Sequence, residues 1–394
     1  MRWNVVSAVV GIALFLTPPV HAGSLGWGKD APGRAVPAGS KIYVANRDSG
    51  SVTVVDRKSL KVVATVVDVP SPHMAYPSPD GKSVLVTSTG SDSVVVVDAT
   101  TDRKVRSVSV GHQPEHLNFT PDGRLAFIAN HGSHDLSVLQ MRDLRVVATL
   151  PVGKEPENVT FSPDGRYAYV AGSGSYEVTV IDVSGLSVVA SIPIGGGPEL
   201  AALKTPGSVA GPEIVAVMPD GTSAYAANED GDDLSLIDLP SRKVLRTLPL
   251  GKRPHHATLS PDDRFVYAIN GAEGSVSVVE TASNRVVGTI PVGPAPTGLV
   301  FSKDGARAYV VSREGDKVVV IDTASRKVAT TVPVGEHPEV AALSPEGDRL
   351  YVANSGSDSL SVIDTATNRV IKTIERIGGY PWAIDVAGGA NFCH

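Results

Sequence analysis

Three observations predict an all-β fold, a closed ring of eight four-stranded antiparallel sheets, which is an eight-bladed β-propeller. A Ser-Pro-Asp-Gly turn or a close variant recurs at Pro79-Asp80-Gly81, Pro121-Asp122-Gly123, Pro163-Asp164-Gly165, Pro219-Asp220-Gly221, Pro261-Asp262-Asp263, Lys303-Asp304-Gly305 and Pro345-Glu346-Gly347. The step is 42 residues throughout except for one step of 56. Self-similarity at such a period marks units that bury their faces only against neighbouring copies. Each copy also holds four short β-branched and apolar runs divided by turn residues, with no helical period. Finally, the first copy lacks its opening strand and the last copy is followed by one.

The chain begins with a segment that reads as an export signal, residues 1–22. Arg2 supplies positive charge, Val5 to Leu16 is almost wholly apolar, and Val20-His21-Ala22 is a small-residue cleavage site before Gly23. The apolar run is too short for an ordinary membrane span. The expected location is therefore periplasmic or secreted. Residues 23–40 are rich in Gly and Pro, lack periodicity and read as a linker. The ring is expected over 41–387, with 388–394 as a tail.

The third copy shows the grammar of a blade, whose strands are called A to D. Glu115-His-Leu-Asn-Phe-Thr leads through Pro121-Asp-Gly to Leu125-Ala-Phe-Ile-Ala-Asn; after His131-Gly-Ser-His-Asp come Leu136-Ser-Val-Leu-Gln and Arg145-Val-Val-Ala-Thr-Leu. C strands start at Val52, Val94, Leu136, Val178, Leu234, Val276, Val318 and Leu360, which makes eight blades. Seven is the alternative if one unit is irregular. Blade one opens at its B strand, Ile42-Tyr-Val-Ala-Asn, and Tyr380-Pro-Trp-Ala-Ile-Asp-Val matches the missing A strand. Such a strand closes the ring and removes open sheet edges.

Tyr351-Val-Ala-Asn, Leu360-Ser-Val-Ile-Asp-Thr-Ala-Thr-Asn and Thr331-Val-Pro-Val-Gly resemble the YVTN-type β-propeller repeat of exported bacterial and archaeal proteins. The resemblance covers residues 41 to 387 and implies the fold. Similar propellers include ligand-binding and surface proteins, lactonase-like enzymes and the haem-binding domain of periplasmic nitrite reductases. A shared fold does not carry a shared reaction.

Hydrophobic residues make up 42% and charged residues 19%, with a net charge of -6 and no run of like charge. That balance describes a core-forming chain and argues against a nucleic-acid partner, which requires a positive face. The single cysteine, Cys393, excludes an intrachain disulfide. A nucleophile elbow, a P-loop, H-E-x-x-H and C-x-x-C-H are all missing. The Asp residues closing the C strands, such as Asp98 and Asp364, read as turn caps rather than a cation ladder.

Function is therefore sought where copies differ. Of the ten histidines, His73, His112, His116, His131, His134, His255, His256 and His337 fall in D–A or B–C connections, or just after them, on one face of a propeller. Aligning the residue after each strand-A proline gives a ring at the channel mouth: Trp382, His73, Glu115, Glu157, Glu213, His255, Thr297 and Glu339 for blades one to eight. His73 and His255 are four blades apart and so are expected to face each other. The candidate cofactor-binding set is His73, His255, Glu115, Glu157 and Trp382. The candidate metal set is His73, His116, His131 and His134, since imidazole with carboxylate suits copper, iron or zinc. A 14-residue insertion around Leu203 lengthens the D–A loop of blade five on the same face.

The sequence thus points to a propeller, expected to be monomeric, that binds a small molecule, metal or protein partner through its His/Glu-rich mouth. A metal-dependent oxidoreductase or lactonase-like hydrolase is the alternative, and a haem-handling protein is a further one.

Overall fold

The computed structural model describes residues 40–195 and 211–391. The expected signal, nearly all of the linker, insertion residues 203–210, Cys393 and His394 lie outside the described residues. Those described form eight antiparallel sheets and no helix, so none crosses a membrane as a helix. The eight-blade count holds and the seven-blade alternative does not. The A strands are Pro381–Val386, Pro72–Pro77, Pro114–Phe119, Pro156–Phe161, Val215–Val217, Pro254–Leu259, Pro296–Phe301 and Pro338–Leu343 for blades one to eight.

Closure occurs as the displaced strand requires. Pro381–Val386 pairs antiparallel with Lys41–Asn46, with Ile42 opposite Val386 and Val44 opposite Ile384. Ile42, Val44, Ile384 and Val386 then pack with Ala353, Leu360 and Val362 of blade eight. The B and C strands are buried on both faces because each sheet is sandwiched between two others, which is why they read as continuous Val, Ile and Leu. The D strands lie outermost. Each carries Lys, Arg or Ser beside exposed aliphatics such as Val105 and Leu245, and those of blades three to seven end in Pro. Charge and proline blunt these outer edges against strand addition.

The repeated polar residues are consumed by the scaffold. The Asn closing strand B bridges to strand C: Asn270 Nδ2 donates to Ser275 Oγ and Ser277 Oγ, each at 2.9 Å. In blade five the glycine before the D–A loop is tied to this Asn, because a Cβ on Gly251 would come within 2.6 Å of the Asn270 amide. Asp98 Oδ1 accepts from Thr101 N at 2.7 Å and Thr101 Oγ1 at 2.9 Å, capping the C–D turn.

Blade five departs from the rest, with an A strand of only three residues after the insertion. Ala390–Asn391 forms a short strand on the inner edge of blade eight, opposite Leu343 and Ala342, at the end of that strand remote from Pro338.

Candidate functional site

The mouth is built by two positions that recur in every blade. The first is the residue after the strand-A proline. The ladder skips a residue or more there, between Pro114 and Leu117 and between Pro156 and Val159, for example, and such a bulge re-aims side chains. The residue before that proline adopts positive φ in most blades, including Gln113 (50°), Glu155 (51°) and Tyr380 (55°). The second position is the residue after strand B: Arg47, Thr89, His131, Ser173, Glu229, Gly271, Arg313 and Ser355 for blades one to eight. His131 and Arg313 reach the ring residue of the next blade, whereas Ser173 and Ser355 reach that of their own.

Blades three and four bring the acidic and imidazole groups together. His131 Nδ1 lies 3.2 Å from Glu157 Oε1 and 3.7 Å from Glu115 Oε2. His116 Nδ1 lies 3.9 Å from Glu157 Oε2. Among the described residues, Glu115, His116 and Glu157 each offer a ligand atom within 4.8 Å of the others. Ser173 Oγ, 3.2 Å from Glu157 Oε1, can also donate to the Glu155 carbonyl at 2.9 Å.

The electrostatics follow from crowding these groups out of water. Burial, then the nearby Glu157 charge, pushes the Glu115 carboxyl up to about 8. Burial would also raise Glu157, but the hydrogen bond and charge of His131 hold it below the usual range. Burial opposes charge on His131, yet the Glu157 hydrogen bond and the Glu115 and Glu157 charges push it up to about 9. Glu213 is driven well above the carboxylate range by burial and by Glu157, Glu229 and Glu115. At neutral pH the pocket therefore holds a Glu157–His131 ion pair beside the neutral acids Glu115 and Glu213.

The other candidates serve different contacts. His73 Nδ1 lies 3.1 Å from the Glu115 carbonyl, and its ring meets His116 edge-on at 4.8 Å and Trp382 at 5.8 Å. His255 Nε2 lies 3.2 Å from the Thr297 carbonyl, and burial holds this imidazole below its ordinary value and so neutral. Both histidines thus tie one blade to the ring backbone of the next, as Thr297 Oγ1 does at 2.7 Å to the Glu339 carbonyl. His134 is exposed; its Nδ1 accepts the Glu155 N–H at 3.1 Å and so serves the loop. His112 pairs with Asp92 at 2.8 Å on the open surface.

Across the ring, blades seven and eight repeat the design with a guanidinium. Arg313 Nε lies 2.9 Å from Glu339 Oε1, and Ser355 takes the place of Ser173 with Oγ 3.3 Å from that oxygen. At blades five and six the charges are exchanged: Glu229 follows strand B and bonds Arg253, the residue before the strand-A proline of blade six. Sequence alignment of the ring found Glu339 and Glu213. Arg47, Glu229 and Arg313 would have emerged from aligning the residue after strand B in the same manner.

Residues 42–197, which contain the whole Glu115–His116–His131–Glu157 cluster, match a family model described as lactonase, 7-bladed beta-propeller. No curated protein matches the chain. Among solved structures, it is similar to hydrazine synthase of Kuenenia stuttgartiensis at 25% identity and a TM-score of 0.60, covering 76% of this chain and 97% of that one. It is also similar to the dihydro-heme d1 dehydrogenase NirN in complex with DHE, at 18% identity and a TM-score of 0.74, covering 93% and 80%. A protein of unknown function from Desulfotomaculum acetoxidans DSM 771 superposes with a TM-score of 0.58 at 15% identity, covering 90% and 99%. The last two likenesses speak to fold alone.

Proposed function

We propose that this chain is an exported propeller that binds a first-row transition-metal ion, copper, iron or zinc, at the mouth between blades three and four. Glu115, His116 and Glu157 would be the ligands, with His131 as the partner that fixes Glu157. The observation carrying this reading is the convergence of the buried His116 and Glu157 with the half-buried Glu115, their ligand atoms within 4.8 Å of one another. Mixed nitrogen and oxygen donors of this kind suit such ions. A cation there would relieve the carboxylate crowding that now holds protons on Glu115 and Glu213. Residues 1–22, which read as an export signal, and the resemblance to the YVTN-type repeat support placement outside the cytoplasm.

The test is metal content of protein purified from its native compartment without chelator or affinity nickel, followed by zinc and copper titration of the stripped protein. Near-stoichiometric binding, lost in Glu157→Gln with His116→Ala while the β-sheet spectrum is retained, is expected. A protein that comes out metal-free and binds neither ion in the micromolar range would overturn the reading.

A second reading, a lactonase-like hydrolase, has its own support. Glu115 and Glu157 are adjacent carboxyls held in opposite protonation states, the pattern of an acid and a base, and the lactonase-family match spans both. Hydrolysis of a simple lactone by metal-free protein, abolished in Glu115→Gln, would favour it over the metal site. A Soret band on haem addition would test the haem-handling reading.

A further inference from the structure

Arg47 breaks the pairing rule of the mouth. In blades three and seven the residue after strand B is cationic and meets a carboxylate on the next blade, His131 with Glu157 and Arg313 with Glu339. Arg47 is the corresponding residue of blade one, but the next ring position is His73, which cannot neutralise a guanidinium. The side chain instead lies over the indole of Trp382, 5.1 Å from its centroid. Among the described residues, no carboxylate lies within ion-pair distance of it.

The platform beneath Arg47 is firmly held. Trp382 stacks on Tyr380, with centroids 6.0 Å apart and planes 17° from parallel, and it abuts His73. Arg313 Nη2 donates to the Tyr380 hydroxyl at 3.2 Å, Tyr380 N donates to Asp358 Oδ1 at 2.9 Å, and Arg47 N donates to the Tyr380 carbonyl at 3.0 Å. A guanidinium set over an indole by a cation–π contact keeps N–H groups available for a planar, bidentate partner. The platform also adjoins the acidic pocket, since Trp382 touches His73 and His73 touches His116.

We propose that Arg47 on Trp382 is an oxyanion subsite. It receives the carboxylate or phosphate of a small ligand whose metal-coordinating end reaches Glu115, His116 and Glu157. The mouth then recognises an anionic metal-chelating molecule, with positive charge supplied by blade one and negative charge by blades three and four. This inference rests on the metal reading for the second end of the ligand, but the anion subsite can be tested alone.

The experiment is calorimetric titration of succinate and of inorganic phosphate into the full chain, stripped and zinc-loaded, for wild type, Arg47→Gln and Arg47→Lys. Wild type should bind at least one anion, more tightly with zinc present. Arg47→Gln should lose about tenfold or more in anion affinity while zinc alone binds at least as well as before, and Arg47→Lys should recover part of the loss. Tighter succinate assigns a carboxylate ligand and tighter phosphate a phosphoryl one. Anion affinity equal in wild type and Arg47→Gln, or no anion binding with or without zinc, would overturn the subsite. Anion binding that needs Arg47 in a protein that takes up no zinc would sustain the subsite while the metal reading fell.

Discussion

Glu157→Gln tests the electrostatic account of the mouth most directly, because it keeps the shape of the side chain and removes only charge. His131 is held up to about 9 from an ordinary value of 6.5, and its hydrogen bond to Glu157 is the main raising cause. A shift of that size corresponds to about 3 kcal/mol of preference for the charged imidazole in the folded state. Glu115 supplies part of the field, so the substitution should remove about 1–3 kcal/mol of it. The sign follows from the raised value. The contribution is complete below pH 6.5 and is lost as pH climbs through about 9. Metal-free wild type should therefore lose unfolding free energy between those limits, and the variant should lose less. Imidazole NMR titration should place His131 near 9 in wild type and well below it in Glu157→Gln. Glu115, relieved of its charged neighbour, should move back toward the carboxylate range. A wild-type His131 that titrates near 6.5, or one indifferent to residue 157, would refute the reasoning.

Three further predictions concern the scaffold. Deleting residues 380 to 394 removes the strand that pairs with Lys41–Asn46, so blade one should open and cooperative thermal unfolding should be lost; a truncated chain melting like the full one would disprove closure. The milder Ile384→Ala, at a fully buried side chain, should cost about 2–5 kcal/mol in urea unfolding. Asn270→Ala breaks the bridge to Ser275 and Ser277 at a buried position and should cost about 1–3 kcal/mol, and a denaturation midpoint equal to that of wild type would show that the bridge is dispensable.

The sequence by itself determined the blade count, the four strands of each blade and the closing role of Pro381–Val386. These features depend on local patterns, namely turn residues at fixed offsets and β-branched runs, repeated often enough to be read against one another. It also placed the histidines and the ring glutamates on one face, because loop type alone decides the face. Tertiary structure decided which of them meet. His131 follows its own B strand in sequence, yet its side chain crosses to Glu157 of the next blade, and no periodicity encodes that reach. His73 and His255 were legible as equivalent ring residues, but the partner each takes is a backbone carbonyl of a neighbouring blade, a group every residue possesses and no sequence marks. The charge state of the pocket was likewise invisible, because Glu115, Glu157 and Glu213 are ordinary carboxylates until packing removes their water and sets them beside one another. The position of Arg47 on Trp382 depends on ring closure itself, which brings residues from the two ends of the chain into contact.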